Sequence, residues 1–528
     1  TPQAKPVSRN TIKRQMFKLY KKGKDDLRNF FAFFNGRVHI GSDIWSDPWQ
    51  THYYMGITCH WIDDDWNIQK RIIAFRVFDE THTAHNIYRI IKQVLEEYLL
   101  VNKIFSIGFD NAASNTASVR ELETICKPAF GGNFFHIRCA CHVLNLCVQD
   151  GLRTLEDALR PIKTAITYLW KHSQVMREWG RFCKQNGKKP KKFPRDVPHR
   201  WNSTYELLNQ SFSYKELLCT FFANYVPQSN LYPQEWDICK RILDLLKVFN
   251  NATYTLSGVY YPTTHLFLTE CLNIVDIFQE NEGDNQLGPT IIAMRTKWMQ
   301  YYTKIPIIYL VACVLDPRTK MEGLLDDLNS YYECLHLIET VNIRDIEKEV
   351  KDIIVELYND FCNRYNIVGD SGTSSQVSGM QGKHLGRGSR NLINRQKRQK
   401  GIMGNISEIE IYLTTEFEFP QSDGIDFQIL KWWNNHSTQF PVLAHIAKEI
   451  LATPCSTVAV EQAFSIGGNI LDDRRSRLSP DSVEVQICVD DWTKAAYRQQ
   501  EMDRNNESEF FNDEDITAMG TTATGSDD

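Results

Sequence analysis

The chain has 14 cysteines, yet no two are spaced Cys-x-x-Cys. Neither a disulfide scaffold nor a paired-knuckle zinc site is indicated, and a reducing compartment fits best. Long apolar runs are missing too. The longest, Ile305 to Leu315, falls well short of the roughly 18 residues a membrane span needs, and no signal-peptide flanks accompany it. Membrane and secretory readings are therefore set aside. Charge of one sign is also lacking: 60 Lys and Arg against 65 Asp and Glu leave a net −5, which by itself gives nucleic-acid binding no support. The chain opens on Thr1 rather than Met, so a preceding segment is expected.

What is present is an ordinary globular composition. Hydrophobic residues make 42% and charged residues 24% of 528 positions, which excludes a collagen-like or wholly disordered chain and suggests several domains. The near-neutral average conceals three basic runs: Lys13, Arg14, Lys18, Lys21, Lys22 and Lys24; then Lys188, Lys189, Lys191, Lys192 and Arg195; then Arg395, Lys397, Arg398 and Lys400. Each reads either as solvated surface or as phosphate contact, and the last also as a nuclear import signal. From Glu501 to Asp528 the chain is acidic.

From Arg37 onward, strand-like runs cover Val38 to Trp45, Tyr53 to Trp61 and Ile68 to Val77. Ile87, Ile90, Ile91, Val94, Leu95 and Tyr98 then recur at helical spacing and lead to a buried-type strand, Ile104 to Phe109. A helix through Ala117 to Ile125, a strand at Phe134 to Ile137 and a helix from Cys141 toward Leu152 follow. The order βββαβαβα is the ribonuclease H-like arrangement, a mixed sheet with three antiparallel strands followed by parallel ones. Residues 152–368 read as helical, 369–405 as a flexible linker rich in Gly, Ser and basic residues, and the region from Ile406 as an apolar helical unit. Within that unit, Pro454 suits the first position of a helix that Gly467 and Gly468 end, and Ser479 with Pro480 opens another.

Asp43 in the first strand and Asp110 at the end of the fourth stand where such a fold places adjacent carboxylates. Such carboxylates can hold two divalent ions about 3.5 to 4 Å apart, one activating the attacking oxygen and one stabilising the leaving oxygen of a phosphodiester. The bland alternatives are a turn for Asp43 and a strand-end turn or helix cap for Asp110. A third carboxylate, Glu461, sits between Val458 and Phe464 in an apolar stretch, where it could also be a structural glutamate paired with a base. Cys139, Cys141 and His142 read as part of a zinc set with Cys126 or Cys147, or as packing at a helix start. Trp201 offers a face for an unstacked base, or packs into the core.

The segments Gly41-Ser42-Asp43-Ile44-Trp45-Ser46, Phe109-Asp110-Asn111-Ala112-Ala113-Ser114-Asn115, Arg138-Cys139-Ala140-Cys141-His142, Arg200-Trp201-Asn202-Ser203-Thr204-Tyr205, Leu315-Asp316-Pro317-Arg318 and the block Ala452 through Leu478 resemble the hAT superfamily of DNA transposases, in family order. The resemblance is to the plant forms that carry a BED zinc finger and a C-terminal dimerisation region. It implies an α/β plus α fold: a ribonuclease H-like mixed sheet interrupted by a large helical insertion, followed by a helical dimerisation region. The implied division is a basic N-terminal arm (1–36), the first part of the core (37–151), the insertion (152–368), the linker (369–405), the dimerisation region completing the core (406–500) and an acidic disordered tail (501–528).

The same resemblance implies a catalytic, metal-binding triad of Asp43, Asp110 and Glu461 using Mg2+ or Mn2+. It also implies DNA contacts from Cys139, His142, Arg200 and Trp201, homodimers or larger homo-oligomers, and a nuclear location. Transposon-end cleavage and strand transfer would be the activity. A domesticated DNA-binding regulator without transposition is the alternative. No BED finger precedes Arg37, so zinc is expected only with a further N-terminal segment.

Overall fold

The computed structural model describes residues 8–47, 51–197, 200–226, 231–232, 235–365, 408–419, 427–471 and 478–497. The expected linker with its third basic run and the expected acidic tail lie outside the described residues.

Five strands form one mixed sheet: β1 Val38–Ser46, β2 Tyr53–Ile62, β3 Ile68–Val77, β4 Ile104–Phe109 and β5 His136–Arg138, in the order β3-β2-β1-β4-β5. β1 pairs antiparallel with β2 and parallel with β4, so the strands bearing Asp43 and Asp110 are neighbours, as the sequence pattern predicts. Helix α1 Arg9–Phe33 precedes the strands, α2 Ala84–Glu97 and α3 Ala113–Cys126 come between them, and α4 Ala140–Thr154 follows β5. β5 begins two residues later than expected, because Phe135 still turns back to the Gly132 carbonyl although its own carbonyl already accepts from Ile107 N–H.

The alternation of strand side chains divides the core. Val38, Ile40, Ile57, Ile73 and Ile107 pack with Ile87, Ile91, Val94 and Leu95 of α2, and with Val119 and Leu122 of α3. The opposite face, with Trp45, Tyr54, Ile72 and Phe75, receives Val460, Ala463 and Phe464 from the helix Val458–Ile470, and Val483 and Ile487 from the helix Pro480–Tyr497. Ten helices between Glu156 and Tyr365 form the insertion among the described residues. Their core is continuous with Tyr412, Trp433, Val442 and Ile446 from the C-terminal region. The apolar run at Ile305 to Leu315 becomes the helix Ile307–Val314, every residue of which is buried.

The basic N-terminal arm forms a helix over Arg9–Phe33. Tyr20 stacks on Trp492 with ring centroids 5.4 Å apart, and Phe31 is fully buried. The helix Pro480–Tyr497 also covers the edge strand β3. Asp491 accepts from Ile72 N–H at 2.8 Å, and Trp492 Nε1 donates to the Ile72 carbonyl at 2.9 Å. Those contacts satisfy backbone groups that an open edge would leave for another chain.

Several histidines are held neutral by burial. Desolvation pushes His39 and His60 down to about 3, and His136 and His265 down to about 4. In the unfolded chain these rings take up protons near pH 6.5. Protons therefore favour the unfolded state below that value, and stability is lost as the pH falls from about 6.5 toward 4. The thermal midpoint should drop steeply between pH 7 and 5, with each ring contributing about 1.4 kcal/mol per pH unit once below 6.5. A midpoint that stays level across that range would contradict the burial of neutral rings.

Candidate active site

The face of β1 and β4 turned toward the C-terminal helices reads in rows. His39, Gly41 and Asp43 alternate down β1, and Ser106, Gly108 and the strand-end Asp110 continue the same pattern on and beyond β4. His39 pairs with Ser106, and Gly41 with Gly108. Gly41 and Gly56 make the floor on which the helix Val458–Ile470 rests. A Cβ at Gly56 would stand 2.8 Å from Val460 Cγ1 and 2.9 Å from Phe464 Cε1, and one at Gly41 would stand 3.4 Å from Val460 Cγ2. With Trp45 stacked on Phe464 at 6.0 Å, this close approach delivers Glu461, the residue after Val460, to the end of the sheet where the aspartates lie.

The three carboxylates come within electrostatic reach of one another. Asp43 is half-buried, and its carboxyl is held well above the usual range, first by desolvation and then by the negative charges of Asp110 and Glu461, against one hydrogen bond from Ile44 N–H at 2.8 Å. Glu461 has solvent access, yet its carboxyl is also raised, by desolvation from the surrounding protein and by Asp110, while Arg200 opposes the shift. Its carboxylate has no ion-pair partner among the described residues, so the reading of Glu461 as a buried, paired structural glutamate is not met. Asp110 Oδ1 accepts from Ala112 N–H at 3.0 Å and from the Asn115 amide. The turn role considered for Asp110 is therefore real and occupies one of its two oxygens.

The donor chemistry of this set, three carboxylates and no thiolate, suits a hard divalent cation. The uncompensated negative charge pressing on Asp43 is what such a cation would relieve. As placed, however, no three His, Cys, Asp or Glu side chains among the described residues stand close enough together to hold an ion. That statement also covers the thiolate-imidazole set around Cys139, Cys141 and His142.

The flanking residues divide. His142 on α4 is half-buried; burial lowers its imidazole and Asp110 opposes the shift, so the ring belongs to the site and is mainly neutral. Arg200 is half-buried and faces Glu461 electrostatically; burial lowers its guanidinium, and Glu461 opposes. Two expectations are corrected. Trp201 is only 3% exposed and packs in the helical core beside Tyr205, so its ring has no free face for a base. Cys139 is also buried, and its Sγ accepts from Thr457 N–H at 3.4 Å, which makes it a fixing point for the segment before Glu461 rather than a DNA contact.

That segment differs from its expected form. The helix starts at Val458, not at Pro454, because the backbone groups ahead of it are committed elsewhere: Cys455 N–H to Thr263 Oγ1 at 3.2 Å, and the Cys455 carbonyl to Ala140 N–H at 2.9 Å. Gly467 and Gly468 lie inside the helix. A Cβ at Gly467 would meet Phe75 at 3.1 Å, so that glycine serves packing rather than termination.

Four family models match in succession: a ZBED1 RNase-like domain over residues 41–130, a ZBED1 RNase-like helical domain over 137–245, a hAT-like transposase, RNase-H fold, over 265–361, and a hAT family C-terminal dimerisation region over 408–493. The third matches a stretch that is helical here; among the described residues the strands all lie between Val38 and Arg138. Among relatives, the chain is 28% identical to the "Putative AC transposase" of Zea mays, over 93% of this chain and 61% of that protein. It is 25% identical to the zinc finger BED domain-containing protein RICESLEEPER 3 of Oryza sativa subsp. japonica, over 93% and 66%. It is 23% identical to the zinc finger BED domain-containing protein DAYSLEEPER of Arabidopsis thaliana, over 93% and 68%. The chain thus spans about three-fifths of the length of the maize relative.

The crowding of negative charge at Asp43 gives a prediction. Its folded pKa lies above the unfolded value, so the contribution of Asp43 to stability is greatest in acid and is lost as the pH rises through the folded pKa. Asp43→Asn should therefore raise the melting temperature of metal-free protein by a few degrees near pH 8, with the gain fading on acidification. A variant less stable than wild type at pH 8 would show that the three charges are not pressed together.

Proposed function

From the premise that this chain belongs to the hAT transposase family, we propose that it carries the phosphodiester-cleaving and strand-transferring core of a DNA transposase, with Asp43, Asp110 and Glu461 as its acidic triad. The observation that supports the reading is that carboxylates from β1, the end of β4 and a helix far along the chain come within electrostatic reach of one another at one end of the sheet. A fold has little reason to concentrate like charges at a solvent-accessible place unless a cation or a reaction uses them.

Asp43, Asp110 and Glu461 would hold Mg2+ or Mn2+, which supplies activation of the attacking oxygen and stabilisation of the leaving oxygen when bound. The chain's own groups do the rest. The turn at Asp110, through Ala112 N–H and Asn115, fixes the direction of one carboxylate. The mainly neutral His142 can donate a hydrogen bond to a phosphate oxygen. Arg200, across from Glu461, supplies positive charge for a strand approaching the acids. Exposed lysines at 188, 189 and 192 give the insertion a phosphate-attracting surface. DNA is the proposed substrate, the C-terminal region the proposed dimer interface, and the nucleus the proposed place of action. Residues 37–151 and the helices from Glu408 onward would act as one catalytic unit around the insertion.

A second reading has one observation in its favour. Because no ligand-close group of acids stands assembled among the described residues, a dimerising nuclear DNA-binding regulator that keeps the fold without the chemistry also fits.

One experiment separates the two. In Mg2+ or Mn2+, wild-type protein should nick supercoiled plasmid DNA. Asp110→Asn should lower that activity by roughly a hundredfold or more, the scale of losing a transition-state electrostatic contact, while DNA affinity stays level or rises slightly because phosphate attraction comes from Lys and Arg. Equal nicking by both forms would remove Asp110 from the triad. Metal-independent nicking would remove the two-metal mechanism.

A further inference from the structure

The strands that bring Asp43 and Asp110 together carry a shared pattern upstream of the acids, His39-x-Gly41-x-Asp43 and Ser106-x-Gly108-x-Asp110. The acid stands four positions after the polar side chain in each case, roughly 13 Å at the rise of a strand, Asp110 lying just past the end of β4. His39 and Ser106 are register partners. His39 is fully buried, and its Nδ1 lies 2.9 Å from Ser106 Oγ and 3.1 Å from Thr453 Oγ1. Thr453 belongs to the segment that leads into the Glu461 helix. One imidazole nitrogen therefore meets a side chain from each of the other two acid-bearing segments, while His39 itself belongs to the third.

The segment is held as a strap beyond that point. Thr264 Oγ1 donates to the Thr453 carbonyl at 2.6 Å, and Thr457 N–H donates to Cys139 Sγ at 3.4 Å. Between the hub and the acids this face carries only Gly41 and Gly108, so no side chain of β1 or β4 there sets the height of the helix; Val460 rests on the bare floor. The bonds of Cys455 and Thr457 tie the strap to α4 and the insertion, and the polar hub ties it directly to β1 and β4, since apolar packing on glycine specifies distance but little direction.

We infer that His39, Ser106 and Thr453 form a positioning cluster that sets the Glu461 helix against β1 and β4, and so governs how closely the three carboxylates gather. None of the three touches substrate. The inference rests on the triad reading above, and its test is arranged so that the two can fail separately.

Thr453→Val keeps shape and removes the hydroxyl; Thr453→Ser keeps the hydroxyl. With supercoiled plasmid in Mn2+, Thr453→Val should lower the maximal nicking rate about tenfold or more, as a displacement of about 1 Å does in an active site, with half-saturating DNA unchanged. Thr453→Ser should restore most of the rate. A second readout needs no metal and no activity: the stabilisation gained by Asp43→Asn should shrink in the Thr453→Val background, because a loosened strap lets Glu461 move away from Asp43. Where Thr453→Val does not fold, Ser106→Ala carries the same expectations. If wild type does not nick DNA, the triad reading fails while the stability cycle still judges the cluster. Full nicking by Thr453→Val, or strict additivity in the cycle, overturns the positioning role.

Discussion

Everything at the candidate site depends on one close packing event, the seating of the helix Val458–Ile470 on the glycine floor of the sheet. Val460 and Phe464 fill the space that a Cβ at Gly56 would occupy, and Trp45 and Phe75 close around Phe464. A side chain at Gly56 would meet Val460 and Phe464 below 3.0 Å, so the helix would have to shift or repack, whereas one at Gly41 would meet Thr58 Oγ1 at 2.9 Å and Val460 only at contact distance. The two aspartates need only neighbouring strands to meet. The third acid needs this helix.

The C-terminal region is tied to the sheet at points remote from that floor as well. Lys70 and Asp491 form an ion pair at 2.8 Å with both side chains almost completely buried, and Arg76 bridges Glu484 at 2.6 Å and Glu97 at 2.7 Å. At the other end of the region, Glu449 meets both Arg37 and Arg364, and Asp360 joins the same group. Breaking a buried pair by removing one partner leaves an uncompensated charge and costs about 3–5 kcal/mol, so these pairs enforce one placement of the region more than they add net stability. They contrast with the acids, which carry no such compensation. These ties pair opposite charges, whereas Asp43, Asp110 and Glu461 bring like charges within electrostatic reach of one another.

The sheet and the two aspartates were legible because they follow from local rules. Period-two alternation located β1 to β4 to within a few residues, and a parallel crossover through α2 placed β4 beside β1. Glu461 was reachable only through the family resemblance, since nothing in the spacing of so distant a residue says that its helix returns to the sheet. The errors have a common cause. Trp201 and Cys139 look alike in sequence whether they face DNA or the core, and only the packing of distant helices decides. Pro454 carried a helix-start signal that the bonds to Thr263 and Ala140 overrode, and Gly467 carried a helix-stop signal that close packing on Phe75 overrode. His39 carries no signal as a single residue. The repeated polar-x-Gly-x-Asp pattern on two strands was the available signal, and it gains meaning only once the strands are known to lie in register.

The central claim is that three distant segments close into one cation-receiving acidic site. Crystals of the protein soaked in Mn2+ and measured for anomalous scattering address it directly. The account predicts Mn2+ peaks bounded by the carboxylates of Asp43, Asp110 and Glu461, with those side chains drawn closer than in the metal-free protein. Peaks confined to other parts of the molecule, or ordered Asp43 and Asp110 carboxylates that bind manganese while Glu461 stays apart, would contradict it.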